Sequence, residues 1–285
     1  MNTSKRPRAS GSRLRLNPIA HVLAWLYAAL LAIPIIFIVF ASFKDNTEIF
    51  TAPFALPTSL DISNFVAAWN RVELGLGLVN STLTTVAAEI LTLVLAIPAA
   101  YAIARSTGRF GLFVERLFAL GLLIPAFAAL VPTLLLAVVM GLFQTREFFI
   151  LFLPATALPL SVILLAQFMR AVPQELEESA MLDGASRLRI LVSVYVPLTI
   201  PGVVTVLILN FLTFWNEYLF ALILIGPRVE ERTVQVALPT LISLTSTDYG
   251  VLLAGCLITM IPVYLVYILL QRRMEDALLQ GAVKS

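Results

Sequence analysis

Two glutamates stand inside long apolar runs, where an ionisable side chain is unusual. Glu89 interrupts the run from residue 74 to 104, and Glu217 interrupts the run from 190 to 227. A carboxylate is costly to bury in hydrocarbon, so such residues usually face the interior of a helix bundle or a water-filled path. The two acids are therefore candidates for a solute path or, alternatively, for hydrogen bonds that join neighbouring helices.

Amide and aromatic side chains surround Glu217. Planar amides donate to and accept from hydroxyl groups, and aromatic rings offer an apolar face with a polar edge. This composition is typical of a path for a sugar, although the same groups also serve as contacts between helices. The predicted path residues are Asn80, Glu89, Asn210, Phe214, Trp215, Asn216, Glu217 and Tyr218.

The sequence lacks the residues that several kinds of catalytic and metal-binding chemistry require. His21 is the one histidine and Cys256 the one cysteine, which excludes an internal disulfide and a cysteine-based metal cage. The sequence has no G-x-x-x-x-G-K-[ST] phosphate loop, no H-E-x-x-H and no G-x-S-x-G. An intramembrane enzyme is thus a weak alternative, and a nucleotide site in this chain is not expected.

The composition indicates a membrane protein. Of the 285 residues 60% are hydrophobic and only 13% are charged, and the mean hydropathy is +0.95. Soluble proteins are about 25% charged, and a helix needs about 20 apolar residues to cross a bilayer. The apolar runs are continuous, so they predict helices, not barrel strands, and an all-α polytopic fold. The six predicted spans are Leu16–Phe43, Leu74–Ala104, Leu117–Thr145, Phe148–Met169, Ile190–Pro227 and Tyr249–Gln271.

Basic residues are distributed unevenly between the two sides of these spans. Fourteen of the 19 lysines and arginines lie in the termini and in the segments after the second and fourth spans. The positive-inside rule therefore places both termini and the segment 171–197 in the cytoplasm. The predicted organisation is a basic tail (1–15), a membrane domain (16–271) and a C-terminal tail (272–285).

The segment 171–197 has the signals of two short helices. Pro173 suits a first helical position, and the acids that follow it suit a helix N-terminus. Gly184 can adopt the left-handed conformation that ends a helix. Ser186 is a plausible N-cap of a second helix, which Pro197 is predicted to end. An amphipathic connection lying on the bilayer is the alternative interpretation.

The residues of this segment resemble the EAA loop of bacterial ABC-importer permeases. That loop has the form E-A-A-x-x-D-G-A, followed after a gap by a hydrophobic residue and Pro. Here Glu178–Ala185 and then Val196-Pro197-Leu198 have this order and spacing, with Ser179 in place of the first alanine. Asn80-Ser81, Ala99–Arg105, Phe214–Leu222 and Gly281–Lys284 are similar to carbohydrate-uptake permeases of the maltose-transporter type.

This resemblance implies a coupling helix that docks on a separate ATPase subunit. It implies that Glu178 pairs with a basic residue of that subunit, Gly184 permits the turn and Asp183 caps local amides. The residues that it assigns to coupling are Glu178, Ser179, Ala180, Asp183, Gly184 and Ala185.

The resemblance also implies the partners. They are a second permease in a heterodimer, two ATPase subunits that hold ATP and Mg, and an extracytoplasmic sugar-binding protein. The loops 44–79 and 227–248 are the expected contacts of the binding protein. No cofactor in this chain and no nucleic-acid partner are expected, and the location is the cytoplasmic (inner) membrane.

An ion-coupled secondary transporter is the alternative function. It requires a relay of intramembrane acids, or broken helices arranged as inverted repeats, and the sequence has two acids and no clear repeat. For the importer, oligosaccharides, a disaccharide, amino sugars and glycerol 3-phosphate are all open. The absence of an arginine in the middle of a span weakly favours a neutral sugar.

Overall fold

The computed structural model describes residues 18–243 and 246–282, with side chains as far as residue 271. The predicted N-terminal tail (1–15) and the side chains of the C-terminal tail lie outside the described part. The described residues form helices and no strand. The helices are α1 (Pro18–Ala41), α2 (Asn46–Thr51), α3 (Ser63–Arg71), α4 (Leu74–Arg105), α5 (Arg109–Gly121), α6 (Ala126–Val139), α7 (Arg146–Arg170), α8 (Gln174–Leu182), α9 (Arg187–Ile190), α10 (Val196–Leu198), α11 (Ile200–Trp215), α12 (Leu219–Leu224), α13 (Val234–Ala237) and α14 (Tyr249–Ala282).

Four helices among these are long and apolar enough to cross a membrane. They are α1, α4, α7 and residues Tyr249–Gln271 of α14, and they correspond to predicted spans one, two, four and six. The number rises to six if each of two bent helix pairs forms one span. The helix α14 continues to Ala282, so the predicted C-terminal tail begins as an extension of the last span.

The third predicted span is not one straight helix, which corrects the prediction. It starts earlier, at Arg109, and α5 and α6 meet at an angle of 97° around residues 122–125. Pro125 explains the break, because its ring disfavours a helical conformation at Ile124. A Cβ at Gly121 would lie 2.9 Å from Pro159 Cγ, so the end of α5 approaches α7 where only glycine fits.

The fifth predicted span is broken at Thr199 and again at residues 216–218, which is a second correction. A π-helical segment, Leu191–Tyr195, follows α9, and the chain bends by 78° at Thr199 before α11. Pro197 does not end the helix as predicted, because α10 includes it. Pro197 has no N–H for the usual bond to residue 193, and the wider π turn, with Val196 N–H bonded to the Leu191 carbonyl, accommodates it.

The helices α4 and α7 form the most extensive helix pair. Their contact is lined by small residues that are fully buried, among them Ala96 and Ala100 of α4 and Ala166 of α7. Small side chains allow two membrane helices to approach closely, which gives van der Waals contact where lipid offers no hydrophobic driving force. The pair forms the scaffold against which α8–α11 are placed.

Candidate functional site

The helix α8 and the turn after it form a polar projection between α7 and the bent fifth span. Gly184 has a φ of +77°, and its amide donates to the Met181 carbonyl, so it makes the predicted left-handed turn. Ser186 caps α9 as predicted, because its hydroxyl accepts from Arg189 N–H at 3.3 Å. Asp183 ends α8 through its backbone N–H, and no side-chain cap by Asp183 is among the hydrogen bonds of the described residues.

The predicted coupling residues divide into two groups. Glu178, Ser179, Asp183 and Gly184 are exposed, whereas Ala180 and Ala185 are half-buried against the core beneath. The Glu178 carboxylate accepts from the Gln174 amide of the same helix at 3.0 Å. The exposed group is therefore available to a partner, and the two alanines hold the projection against the spans.

Two residues of this projection were missed by sequence reasoning. Leu182 is 90% exposed, and Met181 and Leu188 of the same segment are 46% and 70% exposed, so the segment carries a group of exposed apolar side chains that is typical of a contact surface. Glu177 is only 7% exposed, although it belongs to a surface helix. The signal for Glu177 was present in the sequence, because it stands three residues before Ala180 and so shares its inward face.

Glu177 is held by side chains from two other elements. Tyr101 of α4 donates to its Oε1 at 2.8 Å, and Tyr195 of the π-helical segment donates to its Oε2 at 2.7 Å. The Arg105 guanidinium lies 3.1 Å from Oε2 as an ion pair. Both carboxylate oxygens are thus occupied inside the protein.

Asn80 was predicted to line the solute path, and the structure corrects this. It is 1% exposed, and its amide donates to the carbonyls of Glu230 and Arg232 at 3.0 and 3.1 Å. The neighbouring Ser81 hydroxyl accepts from Val234 N–H at 2.8 Å. Asn80 and Ser81 therefore attach the loop before α13 to the start of α4.

Four further predicted path residues are buried within this chain. Phe214 and Trp215 are 3% and 2% exposed and belong to the packed core. Asn210 bonds Ser161 of α7, with 3.1 Å between the amide nitrogen and the hydroxyl oxygen. Glu89 is 7% exposed, and the Asn210 side chain is its polar neighbour, although the two side chains are not aligned as a well-formed hydrogen bond.

The remaining three, Asn216, Glu217 and Tyr218, lie together at the break between α11 and α12. Asn216 and Tyr218 are exposed and Glu217 is half-buried. The Glu217 carboxylate accepts from Phe220 N–H at 2.9 Å and so caps the first turn of α12. Glu217 therefore lies between two helices, whereas the fifth predicted span was a single continuous run. Non-helical backbone of this kind occurs in membranes where it lines a cavity or is covered by protein.

A separate cavity of about 490 Å³ lies in the bend between α5 and α6 and against α7. Its lining is apolar apart from Thr133 and Thr156, and none of the eight predicted path residues lines it. A saccharide needs more polar partners than two hydroxyls. Among the described residues, no three histidine, cysteine, aspartate or glutamate side chains cluster as a metal site requires.

Known transport proteins resemble this chain over most of its length. Residues 92–280 match the family described as binding-protein-dependent transport system inner membrane component. The diacetylchitobiose uptake system permease protein NgcG of Streptomyces coelicolor is 32% identical over 277 residues, covering 97% of this chain and 92% of that protein. The melibiose/raffinose/stachyose import permease protein MelC of Bacillus subtilis is 28% identical, covering 96% of this chain and 99% of that protein.

The fold agrees with solved importers. A chain from the crystal structure of a bacterial ABC transporter that imports the acidic polysaccharide alginate superimposes with a TM-score of 0.79 at 24% identity, covering 94% of this chain and 99% of that one. A chain from an alginate transporter in complex with an alginate pentasaccharide-bound periplasmic protein gives a TM-score of 0.67 at 15% identity, covering 88% of this chain and 91% of that one. At these identities the likeness establishes the fold alone.

The chain is a polytopic helical transport component of the inner membrane. It belongs to the family of binding-protein-dependent transport system inner membrane components, the permeases of ABC importers. The resemblance drawn from the EAA loop is confirmed, and the ion-coupled alternative is not supported. Broken helices are thus present in this importer permease, so they do not by themselves distinguish it from an ion-coupled secondary transporter.

Proposed function

We propose that this permease carries a saccharide inward, driven by a separate ATPase that docks on α8 and the Gly184 turn. The observation that carries the proposal is the exposed projection itself. It presents an acid, a turn and a 90% exposed leucine at the positions where the sequence matches the EAA pattern. Apolar and small residues with acids at the rim suit the docking of a helix into a groove.

The proposed class of solute, a saccharide, is supported by the solutes named for three relatives. Diacetylchitobiose, starch degradation products and the melibiose series are the solutes named for three of them. Within this chain, Asn216, Glu217 and Tyr218 are the accessible members of the predicted path, and they combine an amide, a carboxylate and an aromatic ring. A neutral sugar fits this set, because hydroxyl groups need donors and acceptors and no phosphate clamp is required.

The assembly that we propose is heterodimeric. A second permease pairs with this one, and two ATPase subunits hold ATP and Mg, while this chain binds no cofactor. An extracytoplasmic sugar-binding protein contacts the loops 44–79 and 227–248. Both termini and the segment 171–197 lie in the cytoplasm, as the distribution of basic residues favours.

The experiment is co-purification of the tagged chain in mild detergent, with identification of the bound subunits by mass spectrometry. We expect an ATPase and a second permease to co-purify. Leu182→Asp should weaken ATPase binding roughly tenfold or more, because a buried leucine contributes about 1.5–3 kcal/mol. Since Leu182 is 90% exposed, its replacement leaves the packing of the permease intact.

The control is Thr107→Asp, which introduces the same charge at an exposed position between α4 and α5, outside the docking helix. It should retain the ATPase. A chain that purifies alone and whose uptake stops when the ion gradient collapses, with ATP present, would contradict the proposal and favour ion-coupled transport.

A further inference from the structure

The helix α8 is joined to the membrane domain by one buried carboxylate. Glu177 is 7% exposed, whereas its neighbours Leu176 and Glu178 are exposed. Its two oxygens accept from Tyr101 and Tyr195 at 2.8 and 2.7 Å. The partners come from the cytoplasmic end of α4 and from the π-helical segment, so three elements meet at this side chain.

Arg105 closes the cluster from the side. Its guanidinium pairs with Glu177 Oε2 at 3.1 Å and donates to the Val172 carbonyl at 2.6 Å. It also lies 4.8 Å from the centre of the Tyr195 ring, and the Tyr101 and Tyr195 rings are 4.8 Å apart. Because separating a buried ion pair leaves an uncompensated buried charge, which is strongly destabilising, we expect these side chains to stay in contact when α8 moves.

The Tyr195 end of the cluster leads directly to the bend of the fifth span. Tyr195 is the last residue of the π-helical segment, and its carbonyl accepts from both the N–H and the hydroxyl of Thr199, at 2.9 and 2.7 Å. Thr199 is the residue at which the chain bends by 78° into α11. π-Helical turns are frequent at functional sites in helices.

We propose that Glu177 is a positioning residue that transmits movement of α8 to α4 and to the bend before α11. We name Glu177, Arg105, Tyr101 and Tyr195 the Glu177 latch. The inference rests on the proposed function, since the latch transmits movement only if an ATPase moves α8. Glu178 and Leu182 face outward to that partner, whereas Glu177 faces inward to the spans.

The test follows the movement of α11 in the assembled complex and does not need the solute. Cysteines that replace Ile90 of α4 and Thr213 of α11, both exposed, carry spin labels in a Cys256→Ser background. The distance between the labels is measured with and without Mg–AMP-PNP, a non-hydrolysed ATP analogue. The variants are Glu177→Gln, Tyr195→Phe and the control Glu147→Gln, an exposed residue in the first turn of α7 and outside the docking helix.

We expect the nucleotide to change the label distance in the parent complex and in Glu147→Gln. In Glu177→Gln the change should fall at least fivefold while the ATPase subunit stays bound. Tyr195→Phe should give a smaller loss, and the double variant should be no worse than Glu177→Gln, because both changes open the same cluster. If the Glu177→Gln complex does not assemble, the nucleotide-dependent change in label distance of Tyr195→Phe tests the proposal.

Two results would overturn the latch. One is a full nucleotide-dependent change in both Glu177→Gln and Tyr195→Phe. The other is loss of the ATPase subunit from both variants, which would make the cluster a support of the docking surface. If no ATPase binds even the parent chain, it is the proposed function that fails, so the two failures are distinguishable.

Discussion

At the scale of single residues, the fold treats its buried ionisable groups in different ways. Lys44 is 1% exposed, and its ammonium group donates to the carbonyls of Ala52, Pro53 and Ala55. Glu177 has well-formed hydrogen bonds to both oxygens, whereas Glu89 has only the Asn210 side chain as a polar neighbour. Lys44 and Glu177 therefore join segments of the chain, and the Glu89 carboxyl group is less well satisfied than either.

Lys44→Met should destabilise the loop after α2. Methionine keeps the apolar stem but removes the hydrogen bonds of the buried ammonium group, and a hydrogen bond to a charged group contributes about 1.5–3 kcal/mol. We expect a lower melting temperature in detergent and faster proteolysis near residues 52–55. The control is Arg71→Met, whose ion pair with Asp248 is largely exposed and contributes about 0–1 kcal/mol. Equal effects of the two substitutions would contradict the argument.

Glu89→Gln should stabilise the protein in detergent. A buried carboxylate is costlier than a buried amide, and the glutamine amide can both accept from and donate to the neighbouring Asn210 side chain. We expect a gain of about 1 kcal/mol, seen as a higher melting temperature. A lower melting temperature would mean that Glu89 has a stabilising partner in the folded protein.

At the scale of elements, the turns and breaks decide where exposed side chains are presented. The Gly184 turn places α8 and α9 side by side, and a Cβ at Gly184 would meet no atom within 4 Å. Its glycine is therefore required by backbone conformation and not by lack of space. The break at residues 216–218 similarly exposes a short polar stretch in an otherwise apolar span.

Gly184→Val should uncouple ATP hydrolysis from uptake, whereas Gly184→Asn should not. A positive φ costs most non-glycine residues about 1–2 kcal/mol, and a β-branched residue more, while asparagine adopts this conformation far more readily. In the reconstituted complex we expect a coupling ratio at least fivefold lower for valine and within about twofold of the parent for asparagine. Equal coupling in both variants would show that the turn geometry is unimportant.

At the scale of the whole molecule, the exposed apolar surface is that of a membrane protein. The helix α1 buries only Ala41, and large hydrophobic side chains are exposed along α4, α6 and α14. Lipid and the proposed second permease are the surroundings that such a surface requires. Most of the surface of α1 is therefore left for lipid to cover.

The proposed orientation can be checked with single cysteines, because Cys256→Ser removes the one native thiol. Thr107 follows α4 and Ser59 lies in the outer loop, and both are exposed. We expect a membrane-impermeant maleimide to label a cysteine at Ser59 from outside intact cells, and one at Thr107 only after the cells are opened. The reverse pattern would invert the proposed topology and place α8 away from any cytoplasmic ATPase.

The sequence alone determined the solvent, four of the six predicted spans and the class of this protein. A continuous apolar run reports directly on the bilayer, because each helix satisfies its own backbone there. The Gly184 turn and the Ser186 cap were also predictable, since a turn and a cap depend on residues within a few positions of each other. The EAA pattern lies in one contiguous segment, so it was visible without any fold.

Only the tertiary structure decided which polar residues have hydrogen-bond partners inside the chain. Glu177 meets Tyr101, 76 positions away, and Asn80 meets the carbonyl of Arg232, 152 positions away. The same holds for the glycine contact of α5 with Pro159 and for the burial of Phe214 and Trp215. Such contacts depend on how distant helices pack, and hydropathy along one helix contains no information on which neighbour it meets.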